Sequence, residues 1–221
     1  MSQKFILKKK AISRAEKKDT AKNREREQNI LTSALKIFGE KGFENTTISE
    51  ISKTAKISDA TIYEYFSSKE EILFSIAHKY TLKEFERMKQ IAPYVHGAPA
   101  RIRMIIQAYL EFYEQNKEYT SVALLTLKSN RNFIQSEAYQ IVREVSGTIV
   151  AIYKEGIEEG VFREDMDPYL VRNMVLGFIE HLTVQWLLVG RPEKISEYRD
   201  TIFEMVMRTV LKDPKIFQTL L

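Results

Sequence analysis

The chain of 221 residues has no cysteine, 5 prolines, 8 glycines and 3 histidines. Without cysteine there is no disulfide framework, no thiolate nucleophile and no cysteine-ligated metal. The same lack suits a reducing cytoplasm, the expected location. So few prolines and glycines, with long stretches free of both, favour helix throughout. His78, His96 and His181 lie far apart. They offer neither a metal-ligand spacing nor a nucleophile–base set, and a glycine-rich phosphate loop is missing too. An enzyme is therefore not expected, nor a cofactor, nor a metal site. Long apolar runs are also scarce. The most apolar stretch, 169–189, is interrupted by Glu180, His181 and Gln185. Its uninterrupted runs fall short of the ~20 residues that span a bilayer, so no membrane partner is expected. Phe5-Ile6-Leu7, followed at once by three lysines, is too short an apolar run for a signal peptide.

What is present begins with an uneven charge. Residues 1–27 hold ten Lys/Arg and four Asp/Glu; the net charge of +4 therefore leaves the other 194 residues at −2. The basic arm, 1–23, is polar and poor in apolar residues, which predicts disorder in the absence of a partner. Beside a nucleic-acid reader it would supply the phosphate contacts that a neutral module lacks.

The stretch 46–69, TTISEISKTAKISDATIYEYFSSK, reads as two short helices joined by a tight turn. Thr47 and Glu50 fit a capping box. Ile48, Ile51 and Ala55 share one helical face. Lys56-Ile57-Ser58 makes the turn, and Ser58 caps a second helix over 59–65 whose Ile62 and Phe66 face inward. Ser67 or Ser68, with Glu70 or Glu71, caps a long helix reaching Ile91. A helix pair that presents a short, polar, aromatic-bearing second helix is the pattern of a helix-turn-helix DNA reader. A preceding helix over 24–41, ending at Gly42, completes a three-helix core with Ile30, Ala34, Phe38 and Phe43.

Residues 27–75 resemble the N-terminal domain of the tetracycline-repressor (TetR) family of transcriptional regulators. Ile30, Ala34, Phe38, Gly42, Thr46, Thr47, Ile51, Ala55 and Ser58 carry the likeness, and the string Thr61-Ile62-Tyr63-Glu64-Tyr65-Phe66 with Lys69 is its most specific part. Two positions depart from the pattern. Lys56 stands where a turn glycine is usual, a strained site if φ is positive there. Ala60 stands where glycine is frequent.

The resemblance implies an all-α fold with about nine helices. A helix-turn-helix domain over 24–75 would be followed by a ligand-binding and dimerisation domain over 76–221. It implies a homodimer on palindromic double-stranded DNA. Tyr63, Tyr65, Lys69 and Thr47 would contact phosphates. Ser49, Asp59, Ala60, Thr61 and Glu64 would face the major groove, where Thr61 and Ala60 suit a thymine methyl and the acids accept from cytosine. Asp59 also reads as a simple first-turn acid.

Beyond Pro93 the periodicity predicts helices over 100–116, 118–128 and 133–159. A helix apolar on nearly every face follows over 169–189, opened by Asp167-Pro168, and a last one is opened by Pro192. Gly147 inside the third of these reads either as close packing or as a dent for a ligand. An all-round apolar helix is expected to be buried all round. Met174, Phe178, Trp186, Ile202 and Val206 on the last two helices are the expected dimer contacts. Tyr109, Tyr113, Tyr139, Phe178, His181 and Gln185 are the candidate lining of a cavity for a small apolar ligand. His181 alone also fits a satisfied core position. Residues 156–186 are similar to the TetR family's regulators of fatty-acid metabolism, which implies an acyl-CoA effector. An aromatic cage for lipophilic cations is the rival, weakened by the few acids expected on these helices. The function expected is therefore a ligand-released repressor. A helical small-molecule or protein-binding dimer with a vestigial DNA reader remains the alternative.

Overall fold

The computed structural model describes residues 3–219, with side chains over 21–217. Nine α-helices follow one another among the described residues, and a single isolated bridge, Phe162 to Leu211, is the only β pairing there. By contacts the chain divides into two compact units, Met1–Leu73 and Phe74–Leu221.

The first unit holds α1 (Gln3–Lys41), α2 (Ile48–Ala55) and α3 (Asp59–Tyr63), with the start of α4 (Lys69–Ile91). Its core is Ile30, Ala34, Phe38, Ile51, Ile62 and Leu73, all buried. The first helix starts well before Arg24. The apolar stripe marks only the packed part of a helix, and the segment upstream lacks glycine and proline and is rich in Lys and Ala, both good helix formers. The arm expected to be disordered and to touch DNA falls mostly outside the described side chains; its backbone from Gln3 continues α1. Gly42, at φ 84, closes α1 with a bond from its N–H to the Phe38 carbonyl. α3 ends at Tyr63, two residues sooner than expected. Glu64 and Tyr65 form a turn that redirects the chain into α4.

The second unit holds the rest of α4, then α5 (Ala98–Gln115), α6 (Lys117–Leu125), α7 (Glu137–Glu158), α8 (Pro168–Val189) and α9 (Arg199–Val210). Ile105, Ile106 and Leu110 of α5 meet Ile149 and Tyr153 of α7, Val175 and Ile179 of α8, and Phe203 and Met207 of α9 in one core. The start of α8 is capped as expected, the Asp167 carboxylate accepting from the Tyr169 and Leu170 N–H groups at 2.7 and 3.1 Å; at the other end Gly190 takes the left-handed region. Gly156 on α7 is required by packing, because a Cβ there would fall inside the Phe162 ring.

Three expectations are corrected. Between α6 and α7 the chain runs through 3-10 turns at Leu127–Ser129 and Arg131–Gln135, so α6 stops at Leu125 and α7 starts at Glu137. Asn130 and Ser136, whose side chains accept from backbone N–H groups two or three residues on, punctuate this segment. Pro192 does not open the last helix; a 3-10 turn, Ile195–Tyr198, precedes α9, tied by the Glu114 carboxylate accepting from the Ser196 N–H at 3.0 Å.

The third correction concerns α8, which is not buried all round within the chain. Val171, Val175, Ile179, Thr183 and Trp186 face inward, while Leu170, Phe178, Leu188 and Val189 are exposed. Trp186, Ile202 and Val206, expected at a dimer interface, are buried in the chain's own core at 6%, 1% and 4% exposure. Met174 is half-buried and Phe178 exposed.

Packing within the chain does not require Gly147, and it is not among the residues that line the cavity of the second unit. A Cβ there meets nothing within 4 Å. Gly147→Ala is therefore expected to stabilise the chain by about 1 kcal/mol, the helix-propensity difference. Urea unfolding followed by circular dichroism checks this; an unchanged or lower midpoint would show a hidden constraint at that position.

Candidate nucleic-acid interface and effector cavity

The reading surface is built from caps. In α2 the Thr47 hydroxyl accepts from the Glu50 N–H at 3.3 Å, and the Glu50 carboxylate accepts from the Thr47 N–H at 2.9 Å, the reciprocal box that the sequence predicts. Glu50 also pairs with Lys41 at the end of α1. That hydrogen bond, with those from Thr47, holds the Glu50 carboxyl at a pKa of about 2, below its ordinary 4.5.

The turn after α2 settles the question about Lys56. Its φ is 58 and its ψ 43, the left-handed region, so a side chain stands where glycine would be relaxed. Two bonds fix it: Lys56 N–H to the Lys53 carbonyl at 3.2 Å and Ile57 N–H to the Ser52 carbonyl at 3.0 Å, a Schellman motif. Ser58 then caps α3, its hydroxyl accepting from the Thr61 N–H at 3.1 Å. The buried Ser52 hydroxyl donates to the Asp59 carboxylate and so ties α2 to α3.

The nine residues expected to meet DNA divide by this geometry. Thr47, Ala60, Tyr63 and Glu64 are exposed, Tyr63 at 57%, and Ser49, Thr61 and Tyr65 are half-buried. Tyr65 is held from α1, its hydroxyl donating to the Asn23 side-chain oxygen at 3.1 Å. Asp59 is engaged as the brace just described. Lys69 points inward. Its ammonium donates to the Phe43 and Thr46 carbonyls at 2.7 and 2.9 Å and lies 4.3 Å from the Phe43 ring centre. Lys69 is thus a strut of the first unit rather than a free cation.

The cavity lies wholly in the second unit. It has a volume of about 780 Å³ including its mouth, and its lining comes from α4 to α8. α4 contributes Thr81, Phe85 and Met88; α5 contributes Tyr109, Phe112 and Tyr113. Tyr109 and Tyr113 meet edge-on at 5.9 Å between ring centres, Phe112 and Tyr119 at 5.5 Å, and Tyr119 stacks on Tyr80 at 4.4 Å. The lining is mostly apolar with a few polar groups, the composition of a ligand pocket. Burial pushes the Tyr109 and Tyr113 hydroxyls far above the ordinary tyrosine range and that of Tyr119 up to about 12, so all three stay neutral donors.

Of the six residues expected to line a cavity, Tyr109 and Tyr113 do. Tyr139 lies off it, edge-on to Phe133 at 5.5 Å. Phe178, His181 and Gln185 are exposed on the outer face of α8, opposite the stripe that packs inward. His181 is accordingly not a core histidine. Tyr119, Phe112, Phe133 and the charged pair Lys128–Glu180 were missed. Aromatic content alone could have flagged the first three; nothing local could have paired residues so far apart in sequence. Both lining carboxylates are neutralised, Glu180 by Lys128 and Glu84 by Arg87 at 2.6 Å. Among the described residues no group of three or more His, Cys, Asp or Glu could hold a metal ion, and no helix is long and apolar enough to cross a membrane.

The Glu50 box gives the first unit a defined acid response. A folded pKa below the unfolded one adds stability that is complete above about pH 4.5 and is lost as pH falls toward 2. Glu50→Gln is therefore expected to melt below the wild type at neutral pH, with the gap closing at acid pH. Thermal unfolding at two pH values checks this; a gap independent of pH would assign the loss to packing.

Residues 30–76 match the family model for bacterial regulatory proteins of the tetR family, and residues 79–209 match that for the C-terminal region of YsiA-like protein. The chain is 24% identical over 178 residues to the fatty acid metabolism regulator protein of Bacillus subtilis (strain 168), covering 80% of this chain and 92% of that one. It is 24% identical over 187 residues to the HTH-type transcriptional repressor KstR2 of Mycobacterium tuberculosis (strain CDC 1551 / Oshkosh), covering 83% and 92%. The crystal structure of the transcriptional regulator FadR from Bacillus subtilis in complex with stearoyl-CoA is similar, with a TM-score of 0.76 and 25% identity, over 81% of this chain and 97% of that one.

Proposed function

Because the chain belongs to the tetR family of bacterial regulatory proteins, we infer that it is a dimeric repressor that binds a palindromic operator and leaves it when a small apolar effector fills the cavity. Residues 24–75 are the reader and 76–221 the effector and dimerisation domain; the basic arm adds phosphate contacts.

The observation that carries this reading is α4. Its residues Ile72 and Leu73 are buried in the core of the reading unit, and its residues Phe85 and Met88 line the cavity. The helix has no glycine or proline between Lys69 and Ile91 to absorb a displacement. An effector that fits only when these side chains move would therefore shift the population of reading conformations. A long acyl-CoA suits the apolar lining, and the relative bound to stearoyl-CoA supports that class. A cationic effector is disfavoured, because both lining carboxylates already have cation partners.

Dimerisation follows from the outer face of α8. Leu170, Met174, Phe178 and Leu188 form a half-buried to exposed stripe there, and Met205 on α9 is exposed at 49%. Gly177 lies on the same face, and a Cβ there meets nothing within 4 Å of its own chain. A mid-helix glycine costs about 1 kcal/mol relative to alanine, and close approach of a partner helix would account for it. Two copies place two α3 helices on half-sites about one DNA turn, ~34–36 Å, apart.

Within the reader, Thr47, Tyr63 and Tyr65 are assigned to phosphates, and Ser49, Ala60, Thr61 and Glu64 to base edges. Asp59 and Lys69 hold these residues in place. Tyr63→Ala is expected to weaken binding about tenfold on operator and unrelated duplex alike, the effect of a lost phosphate contact on each half of a dimer. Gel-shift titration checks it; unchanged affinity, or a loss confined to the operator, would remove the phosphate assignment. Octadecanoyl-CoA at micromolar concentration is expected to release the operator complex in the same assay. Release by lipophilic cationic dyes and not by the thioester would overturn the acyl-CoA assignment.

A further inference from the structure

Tyrosine hydroxyls in a largely apolar cavity call for partners, and the three that reach this one are treated differently. Tyr119 has a partner: its hydroxyl lies 3.3 Å from that of Thr81. Tyr109 and Tyr113 have no hydrogen-bond partner among the described residues, although Tyr113 is only 7% exposed. No fully enclosed side-chain nitrogen or oxygen there lacks a partner. Both hydroxyls therefore open onto space that another atom can enter, and both residues line the cavity. They are four apart on α5, so one helical face offers two donors side by side.

This arrangement bears on the ligand's chemistry. A plain hydrocarbon chain would strip water from both hydroxyls and return no hydrogen bond, and phenylalanine would serve it better. An anion would find the one lining cation among the described residues, Lys128, already paired with Glu180. A cation would find Glu180 and Glu84 already paired with Lys128 and Arg87. A neutral oxygen meets both demands: a carbonyl has two lone pairs, and a hydroxyl accepts as well.

We propose that the cavity recognises an apolar effector carrying, besides any thioester carbonyl, a neutral hydroxyl or carbonyl oxygen along its buried chain, held by hydrogen bonds from Tyr109 and Tyr113. These two residues then set specificity, whereas the hydrocarbon lining sets affinity. The inference rests on the effector reading above and narrows it from apolar thioesters to oxygenated ones.

Calorimetric titration of the full chain with octadecanoyl-CoA, and with derivatives bearing one hydroxyl or oxo group mid-chain or at the chain end, tests it. At least one oxygenated derivative is expected to bind about fivefold to tenfold more tightly than the parent, the worth of a hydrogen bond made in a desolvated site. The Tyr109→Phe/Tyr113→Phe double variant is expected to lose that preference while binding the parent at least as tightly. The two single variants serve if the double one does not fold, each losing part of the preference. Equal binding of all the thioesters, or a preference that survives the tyrosine substitutions, overturns this inference alone. Binding of none of them overturns the effector reading and this inference together.

Discussion

The reading unit depends on where one ammonium group sits. The segment between α1 and α2 leaves its carbonyls without a helical ladder, and buried carbonyls without donors are costly. Lys69, the first residue of α4, satisfies those of Phe43 and Thr46 and covers the Phe43 ring. The end of α1, the approach to α2 and the start of α4 thereby become one object. α3 is too short to be stable by itself. It is held by its neighbours: Ser58 caps it, Asp59 takes the Ser52 hydroxyl, and Ile62 is fully buried. The exposure of Tyr63 follows from those three restraints, and so does the direction in which it points.

Local chemistry was the legible part of this fold. Thr47 with Glu50, Ser58, Asp167 and Gly42 each act within a few residues, so their spacing in the chain is their geometry. What needed the third dimension was the choice of face. On α8 the pattern put polar residues among apolar ones and suggested His181 and Gln185 as pocket anchors. The inward stripe is Val171, Val175, Ile179 and Thr183, and residues 181 and 185 fall across the helix from it. The one polar member of the stripe, Thr183, is fully buried because its hydroxyl donates to the Ile179 carbonyl of its own helix at 2.7 Å. Polarity is thus a poor guide to facing wherever a hydroxyl can be satisfied locally.

The same limit explains the dimer contacts that proved internal. Trp186, Ile202 and Val206 were chosen for being apolar on the last two helices, yet a single chain needs that surface to cover α5. What is left for a partner is the remainder after the core is closed: Leu170, Phe178, Leu188 and Met205. Sequence gives the sum of apolar surface on a helix, and only packing divides it between core and interface. Lys69 failed in the opposite sense. As an exposed-looking cation beside a DNA reader it suited a phosphate, and only the positions of three distant carbonyls reveal its other work.

What an unpaired hydroxyl signifies depends on where it stands, since Thr61 and Tyr65, assigned to DNA, have partners and Tyr139, off the cavity, has none among the described residues. Thr47, Ser52, Ser58, Thr120 and Thr183 all have hydrogen-bond partners within a few residues or on a neighbouring helix. Tyr63 has none among the described residues and stands in solvent, where water satisfies it at little cost. Tyr109 and Tyr113 have none inside a cavity, where an ejected water leaves an orphaned donor. An unpaired phenol is therefore weak testimony on α3 and strong testimony on α5. On α3 the argument for DNA rests on the caps that aim the side chain. On α5 it is the hydroxyls themselves that specify what must arrive, since a hydrocarbon surface would have been complete without them.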